Sequence, residues 1–293
     1  MAATDQISRI AVVGAGFMGS GIAESAASHG VDVTIYEPEP APLVRSRERL
    51  AQSVGRALSR GKLTAEDAEG LIARVAYTTD FDDLGGVDAV LEAVTEDPRV
   101  KGKLFARLDE RLPDARFLAS NTSSIPIAEL ASWTQRPERV LGLHFFSPVP
   151  VMRLVEVVVG LETESAVVET AENFAAGIGK RPIRTKDRSG FIVNMLLVPY
   201  LMAAVRMYED GFASREDIDE GMRLGCGHPM GPLTLCDFIG LDVLYAVCDS
   251  LYEEFKRPEY APPPLLKRMV VSGQHGRKAG KGFYDYPPEA RQS

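Results

Sequence analysis

The stretch Ile10-Ala-Val-Val-Gly-Ala-Gly-Phe-Met-Gly19 constrains the fold of this chain more than any other. An apolar run at 10–13 reads as a buried strand. It leads directly into Gly14-x-Gly16-x-x-Gly19, and a helical pattern follows at 18–29. Each glycine has its own physical role. Gly14 permits the tight turn, Gly16 leaves bare backbone for a pyrophosphate, and Gly19 lets the helix pack close to the strand. The helix N-terminus, where Phe17 and Met18 lie, offers free N–H groups and a partial positive charge to phosphates. A second apolar run, 31–36, ends at Glu37, a carboxylate placed to hold ribose hydroxyls and to repel a 2′-phosphate. A glycine-rich turn alone is a weak signal. Strand, glycines, helix, second strand and terminal acid in this order predict a dinucleotide site, with NAD preferred over NADP.

Strand and helix signals alternate as far as Lys186. Apolar runs end at Val13, Glu37, Thr78, Val94, Ser120, His144, Val159 and Thr185, and helical patterns fill 18–29, 40–60, 64–73, 98–111 and 164–178. This alternation predicts βαβ units and a mostly parallel sheet. Beyond Lys186 the segments 190–209, 215–224, 231–256 and 263–273 read as helix or loop, with Ser214 as an N-cap. The expected class is therefore α/β, a Rossmann-type dinucleotide-binding domain at 1–187 followed by a smaller all-α domain at 188–293.

Bulk properties narrow the partners. The net charge of −8 argues against nucleic acid and anionic membrane. The run 191–207 contains Asn194, Pro199 and Arg206 and is too short to span a bilayer, so it reads as a helix buried all round. Residues 1–6 lack the pattern of a signal peptide. Cys226, Cys236 and Cys248 lack metal spacing and read as reduced thiols of a cytoplasmic protein, and no metal site is expected.

Ligands of an open α/β sheet sit at the carboxyl ends of its strands. The polar residues there are Glu92 and Glu96 with Lys101 beyond them, Asn121-Thr-Ser-Ser124, and His144. Glu156 stands inside the apolar run 154–159, where an unpaired charge costs several kcal/mol. It needs a partner, and His144 is a candidate, because a carboxylate behind an imidazole fixes its tautomer. A structural ion pair is the bland alternative. On the helix at 40–60, Arg49, Ser53, Arg56 and Arg60 form one stripe, and Leu43, Leu50, Val54 and Ala57 form another, the packing face. The first is a candidate site for coenzyme A phosphates, or simply a solvated basic face.

Read together, these motifs resemble the L-3-hydroxyacyl-CoA dehydrogenase family, including its 3-hydroxybutyryl-CoA members. The resemblance runs from residue 10 to 286 through Gly-Ala-Gly-Phe-Met-Gly-Ser-Gly-Ile-Ala (14–23), Glu92-Ala-Val-Thr-Glu96 with Lys101, Ser120-Asn-Thr-Ser-Ser124, His144-Phe-Phe-Ser-Pro-Val-Pro-Val-Met152 with Leu154-Val-Glu156, Gly190-Phe-Ile-Val-Asn194, Gly231-Pro232 and Gly280-Lys-Gly-Phe-Tyr284. It implies His144 as catalytic base, Glu156 as the carboxylate orienting it, Ser123 as a hydroxyl touching substrate and nicotinamide, and Asn194 as the amide on the substrate oxygen. It aligns Glu37, Glu96, Lys101 and Lys278 with cofactor contacts, and Ser53 and Arg60 with coenzyme A. Two positions depart from the family pattern: Ser147 stands where Asn is usual, a shorter side chain toward the nicotinamide, and Ser189 stands where Pro is usual.

The implied reaction is reversible NAD-dependent oxidation of a short L-3-hydroxyacyl-CoA to the 3-ketoacyl-CoA, chemistry of fatty acid metabolism. A dehydrogenase of free hydroxy acids and a non-catalytic, crystallin-like NAD-binding protein are the alternatives. The apolar faces of the helix at 190–208, Leu196 and Leu201 among them, exceed what a domain of about 100 residues can cover. They predict a homodimer through the helical domain, as the resemblance also implies.

Overall fold

The computed structural model describes residues 6–287, so the segment expected to lack a signal peptide lies almost wholly outside the described residues. The chain divides into two compact units, one ending at Asp187 and the other beginning at Arg188. The first unit runs β1 (Arg9–Val13), α1 (Phe17–Ala27), β2 (Asp32–Tyr36), α2 (Pro40–Ser59), α3 (Ala65–Ala73), β3 (Val75–Thr78), β4 (Ala89–Glu92), α4 (Pro98–Arg111), β5 (Phe117–Ser120), α5 (Ile127–Ala131), β6 (Val140–Phe145), β7 (Leu154–Val159), α6 (Ser165–Gly177) and β8 (Arg181–Lys186).

Its eight strands form one sheet in the order β3-β2-β1-β4-β5-β6-β7-β8. Every pairing is parallel except β6 with β7. The order reverses between β1 and β4, and a crevice at such a switch point is where open α/β sheets bind ligands. Strands covered by helices on both faces are apolar throughout rather than alternating. Accordingly Ile10, Ala11, Val12, Ala89 and Val90 are fully buried.

Close packing of α1 against the end of β1 and the β6–β7 connection explains its small residues. A Cβ at Gly19 would lie 1.9 Å from the Gly14 carbonyl oxygen, and one at Gly21 would lie 2.9 Å from Val149. Gly14 has φ +109°, and a Cβ there would lie 2.5 Å from the Ala93 carbonyl oxygen. The antiparallel β6–β7 pair has one consequence for the site. His144 and Glu156 are direct cross-strand partners, so their side chains stand on the same face of the sheet.

The second unit is helical: α7 (Val193–Glu209), α8 (Arg215–Cys226), α9 (Pro232–Ile239), α10 (Leu241–Phe255) and α11 (Pro264–Val271). Ser214 caps α8 by accepting from the Asp217 amide. The segment 231–256 is two helices rather than one. Gly240, at φ +100°, separates them, a conformation no ordinary helical residue adopts. Two buried carboxylates replace the missing strands as organisers. Asp219 accepts from the amides of Leu233 and Thr234 and from the Tyr284 hydroxyl. Asp237 accepts from the amides of Phe283 and Tyr284, which docks the C-terminal segment on α9.

Cys236 and Cys248 are buried and free, and Cys226 is exposed and free. Burial pushes the Cys248 thiol up to about 12, so it acts as core filler. Among the described residues no helix is long and apolar enough to cross a membrane.

Candidate active site

The dinucleotide loop follows β1. Gly16 is exposed, and a Cβ on it would meet nothing within 4 Å, so the backbone there is open to a ligand. Phe17 is largely exposed and Met18 packs against the core. The first amides of α1 lack intrahelical acceptors and are available to phosphate oxygens. Glu37 lies just past β2 and accepts from the Ala15 amide through Oε2 at 3.1 Å. Gly14, Gly16 and Glu37 border a cleft of about 450 Å³, walled also by Phe81, Val94 and Leu104. Arg107 lies over the Phe81 ring, 3.7 Å from its centroid. An open glycine backbone, a carboxylate and an apolar slot together fit the phosphates, ribose and base of a dinucleotide.

Next along the same edge of the sheet comes a buried ionic network. Glu92 ends β4 with no exposure, and Lys101 on α4 is 1 % exposed. The Lys101 ammonium bonds both Glu92 oxygens, at 2.7 and 2.9 Å, and lies 3.1 Å from Glu96 Oε2. Ser120 donates to Glu92 at 2.6 Å. Lys101 therefore lies beneath the cleft surface rather than on it. Glu96 is the exposed member, and it also accepts from the Thr122 hydroxyl and the Ser123 amide. Burial pushes the Glu96 carboxyl up, but Lys101 and these donors outweigh it and hold the group below its ordinary range.

At the ends of β5 and β6 a hydroxyl, an imidazole and a carboxylate line up in one hydrogen-bonded row. His144 Nδ1 lies 2.7 Å from Glu156 Oε2, and its Nε2 lies 3.0 Å from Ser123 Oγ. Glu156 is fully buried and His144 nearly so. A carboxylate at Nδ1 keeps the proton on that nitrogen and leaves the Nε2 lone pair toward the hydroxyl. Asn121 Oδ1 accepts from the Phe145 amide at 2.9 Å and ties the end of β6 to the loop carrying Ser123. Ser147 is exposed at the start of the β6–β7 turn.

The remaining residues singled out in the sequence are dispersed. Ser53 donates to Glu24 at 2.6 Å, and Arg56 and Arg60 are exposed. Arg49 departs from its stripe and donates to the Ala15 carbonyl. Asn194 lies in the first turn of α7 and Lys278 pairs with Asp242, both in the second unit. Among the described residues no cluster of side chains could hold a metal. The residue pattern alone carries no signal for the roles of Asn121 and Thr122. The pairing of Glu92 is legible in it, because the cost of an unpaired buried charge applies to an acid ending an apolar strand nine residues before a lysine as it does to Glu156.

The family model for the NAD binding domain of 3-hydroxyacyl-CoA dehydrogenase matches residues 9–188, and that for the C-terminal domain matches residues 190–286. The chain belongs to the 3-hydroxyacyl-CoA dehydrogenase family. It is an NAD-binding oxidoreductase of that family. A 3-hydroxybutyryl-CoA dehydrogenase of Mycobacterium tuberculosis is 52% identical over 286 residues, 97% of this chain and 100% of the relative. Another from Clostridioides difficile is 42% identical over 278 residues, 95% of this chain and 99% of the relative. The crystal structure of (S)-3-hydroxybutyryl-CoA dehydrogenase PaaH1 from Ralstonia eutropha has a TM-score of 0.91 at 42% identity, covering 96% of this chain and 100% of its own.

Within this dehydrogenase the Glu92–Lys101 pair makes a direct prediction. Removing one partner of a buried pair leaves an uncompensated charge, so Lys101→Met should destabilise the protein by about 3–5 kcal/mol. Adding Glu92→Gln should recover part of the loss. Urea unfolding of the single and double variants measures both, and a Lys101→Met protein as stable as wild type would contradict the assignment.

Proposed function

We propose that this chain is a cytoplasmic, homodimeric enzyme that oxidises short L-3-hydroxyacyl-CoA, foremost 3-hydroxybutyryl-CoA, to the 3-ketoacyl-CoA and catalyses the reverse reaction. The observation that carries the chemistry is the Ser123–His144–Glu156 relay on the strand ends next to the dinucleotide cleft. The names of the relatives support the substrate.

His144 Nε2 removes the proton of the C3 hydroxyl. Glu156 stabilises the imidazolium that forms and holds the ring in the tautomer needed for the next turnover. Ser123 orients the C3 oxygen, and the family resemblance assigns the Asn194 amide to the same oxygen. NAD+, when bound, supplies the hydride acceptor for C3. Glu96, held by Lys101 from beneath, borders the cofactor, and Ser147 and Lys278 are assigned to it by the resemblance. Arg56 and Arg60 are the cations that α2 offers to coenzyme A phosphates. Ser53 joins them by leaving Glu24.

The base is tested by His144→Gln, expected to lower kcat by about 10²-fold or more while NADH binding survives. Glu156→Gln should lower it as well, and the double variant should lose less than the two separate losses combined, because the pair acts as a unit. An active His144→Gln enzyme would remove the histidine from the mechanism. Assaying 3-hydroxybutyryl-CoA beside free 3-hydroxybutyrate tests the substrate class, and turnover of the free acid alone would overturn it.

Glu37 should make the enzyme prefer NADH over NADPH by about 100-fold in kcat/KM, since like charges in contact cost several kcal/mol. A wild-type preference for NADPH would refute this role, and Glu37→Ala should narrow the gap.

For the dimer, α7 divides its apolar surface in two. Leu201 is fully buried in its own core, so it is unsuited to probing an interface, whereas Leu196 is 72% exposed. Phe212 and Leu224 in the same unit are similarly exposed. Light scattering should find a dimer in wild type and a smaller species in Leu196→Glu. A fully active wild-type monomer at micromolar concentration would exclude the assembly.

A further inference from the structure

Ala15 sits between the first two glycines of the dinucleotide loop, and both peptide groups that meet there are tied by distant side chains. Its N–H donates to Glu37 Oε2 at 3.1 Å, and its C=O accepts from Arg49 Nη1 at 3.2 Å. One anchor follows β2 and the other stands midway along α2. The sequence groups Arg49 with Ser53, Arg56 and Arg60 as a phosphate face, yet the half-buried Arg49 side chain turns to the glycine loop instead.

Peptide geometry gives this contact its meaning. A trans peptide is planar, so its C=O and N–H point in opposite directions. Holding the Ala15 carbonyl at Arg49 fixes the Gly16 N–H on the opposite side. The loop needs such a restraint. Glycine crosses between the two halves of φ space at little cost, and the space beside Gly16 is open. A flip of the Ala15–Gly16 peptide would exchange an N–H for a carbonyl oxygen on the side meant for an anion. The guanidinium opposes that flip with a charge-assisted bond from the far side.

We propose that Arg49 is a positioning residue of the dinucleotide site: through the Ala15 peptide it keeps the Gly16 N–H presented to the diphosphate, and it is no part of the coenzyme A face. Glu37 is the matching anchor, spending one carboxylate oxygen on the loop and leaving the other for the ribose.

Calorimetry with ADP-ribose, with NADH and, separately, with coenzyme A tests this on wild type, Arg49→Met and Arg49→Lys. Arg49→Met should weaken ADP-ribose and NADH by about tenfold, the scale of one hydrogen bond to a charged group, and leave coenzyme A within about twofold. Its KM for NADH should rise at near-normal kcat. Arg49→Lys keeps the charge but lacks the planar fork, so it should restore only part of the affinity. In the free protein, the Gly16 amide NMR signal should be single in wild type and broadened or doubled in Arg49→Met. Thermal unfolding verifies that the variants fold, and Arg49→Gln replaces Arg49→Met if that protein does not. The proposal is overturned if Arg49→Met binds ADP-ribose within about twofold of wild type. Loss of coenzyme A affinity instead, or full rescue by lysine, also overturns it. A wild-type protein that fails to bind ADP-ribose would instead sink the dinucleotide assignment of the loop.

Discussion

Among the described residues, the carboxylates of Glu92 and Glu156 have no contact with water. A carboxylate in that position must be paired or neutral, and isolation costs more than any single apolar contact returns. The pairings that satisfy them shape the edge of the sheet where chemistry is expected. Glu92 draws Lys101 inward, and the same ammonium then holds Glu96 at the surface. Glu156 draws His144 into register across β6 and β7. The single antiparallel pairing in the sheet thus has a clear consequence. It brings acid and imidazole directly opposite each other on one face.

Successive strands of the sheet contribute to the site in order. β1 delivers the glycine loop, β4 the Glu92 network, β5 the loop with Ser123, and β6 His144. Backbone contacts tie these together: Glu96 accepts from the Ser123 amide, and Asn121 accepts from the Phe145 amide. The loop between β5 and α5 is therefore bonded on one side to the Glu92–Lys101–Glu96 network and on the other to the strand carrying His144. Groups carried on rigid strand ends keep their mutual geometry closely fixed, as the proposed proton transfer requires.

The second unit solves a different problem. Among its described residues there is no sheet, and its helices are joined by loops containing glycine and proline. Asp219 and Asp237 act as fixed acceptors around which α9 and the C-terminal segment are arranged. Close approach follows from these contacts: a Cβ on Gly231 would overlap Asp219, and one on Gly282 would overlap Asp237. Lys278 is carried by this segment, so its placement depends on two carboxylates far from it in the sequence.

The residue pattern by itself determined the alternation of strands and helices, the glycine turn and the carboxylate after β2, because these are local features with fixed periods. It also determined that Glu156 needs a partner, because burying a bare charge is costly wherever it occurs. Tertiary structure decided the matters that depend on which groups meet. The stripe on α2 was correct as a helical face, for Leu43, Leu50 and Val54 are buried. Helical periodicity, however, could not say that Arg49 would turn to the Ala15 carbonyl, or that Ser53 would bond Glu24. Lys101 was visible as a cation near the site, but its complete burial beneath Glu96 follows from the packing of α4 against β5 and α5. The apolar excess of α7 was visible as well. Which residues it spends on its own core, Leu201 among them, and which it leaves exposed, such as Leu196, was settled by its neighbours. Spacing along a chain fixes faces; only the fold fixes what each face touches.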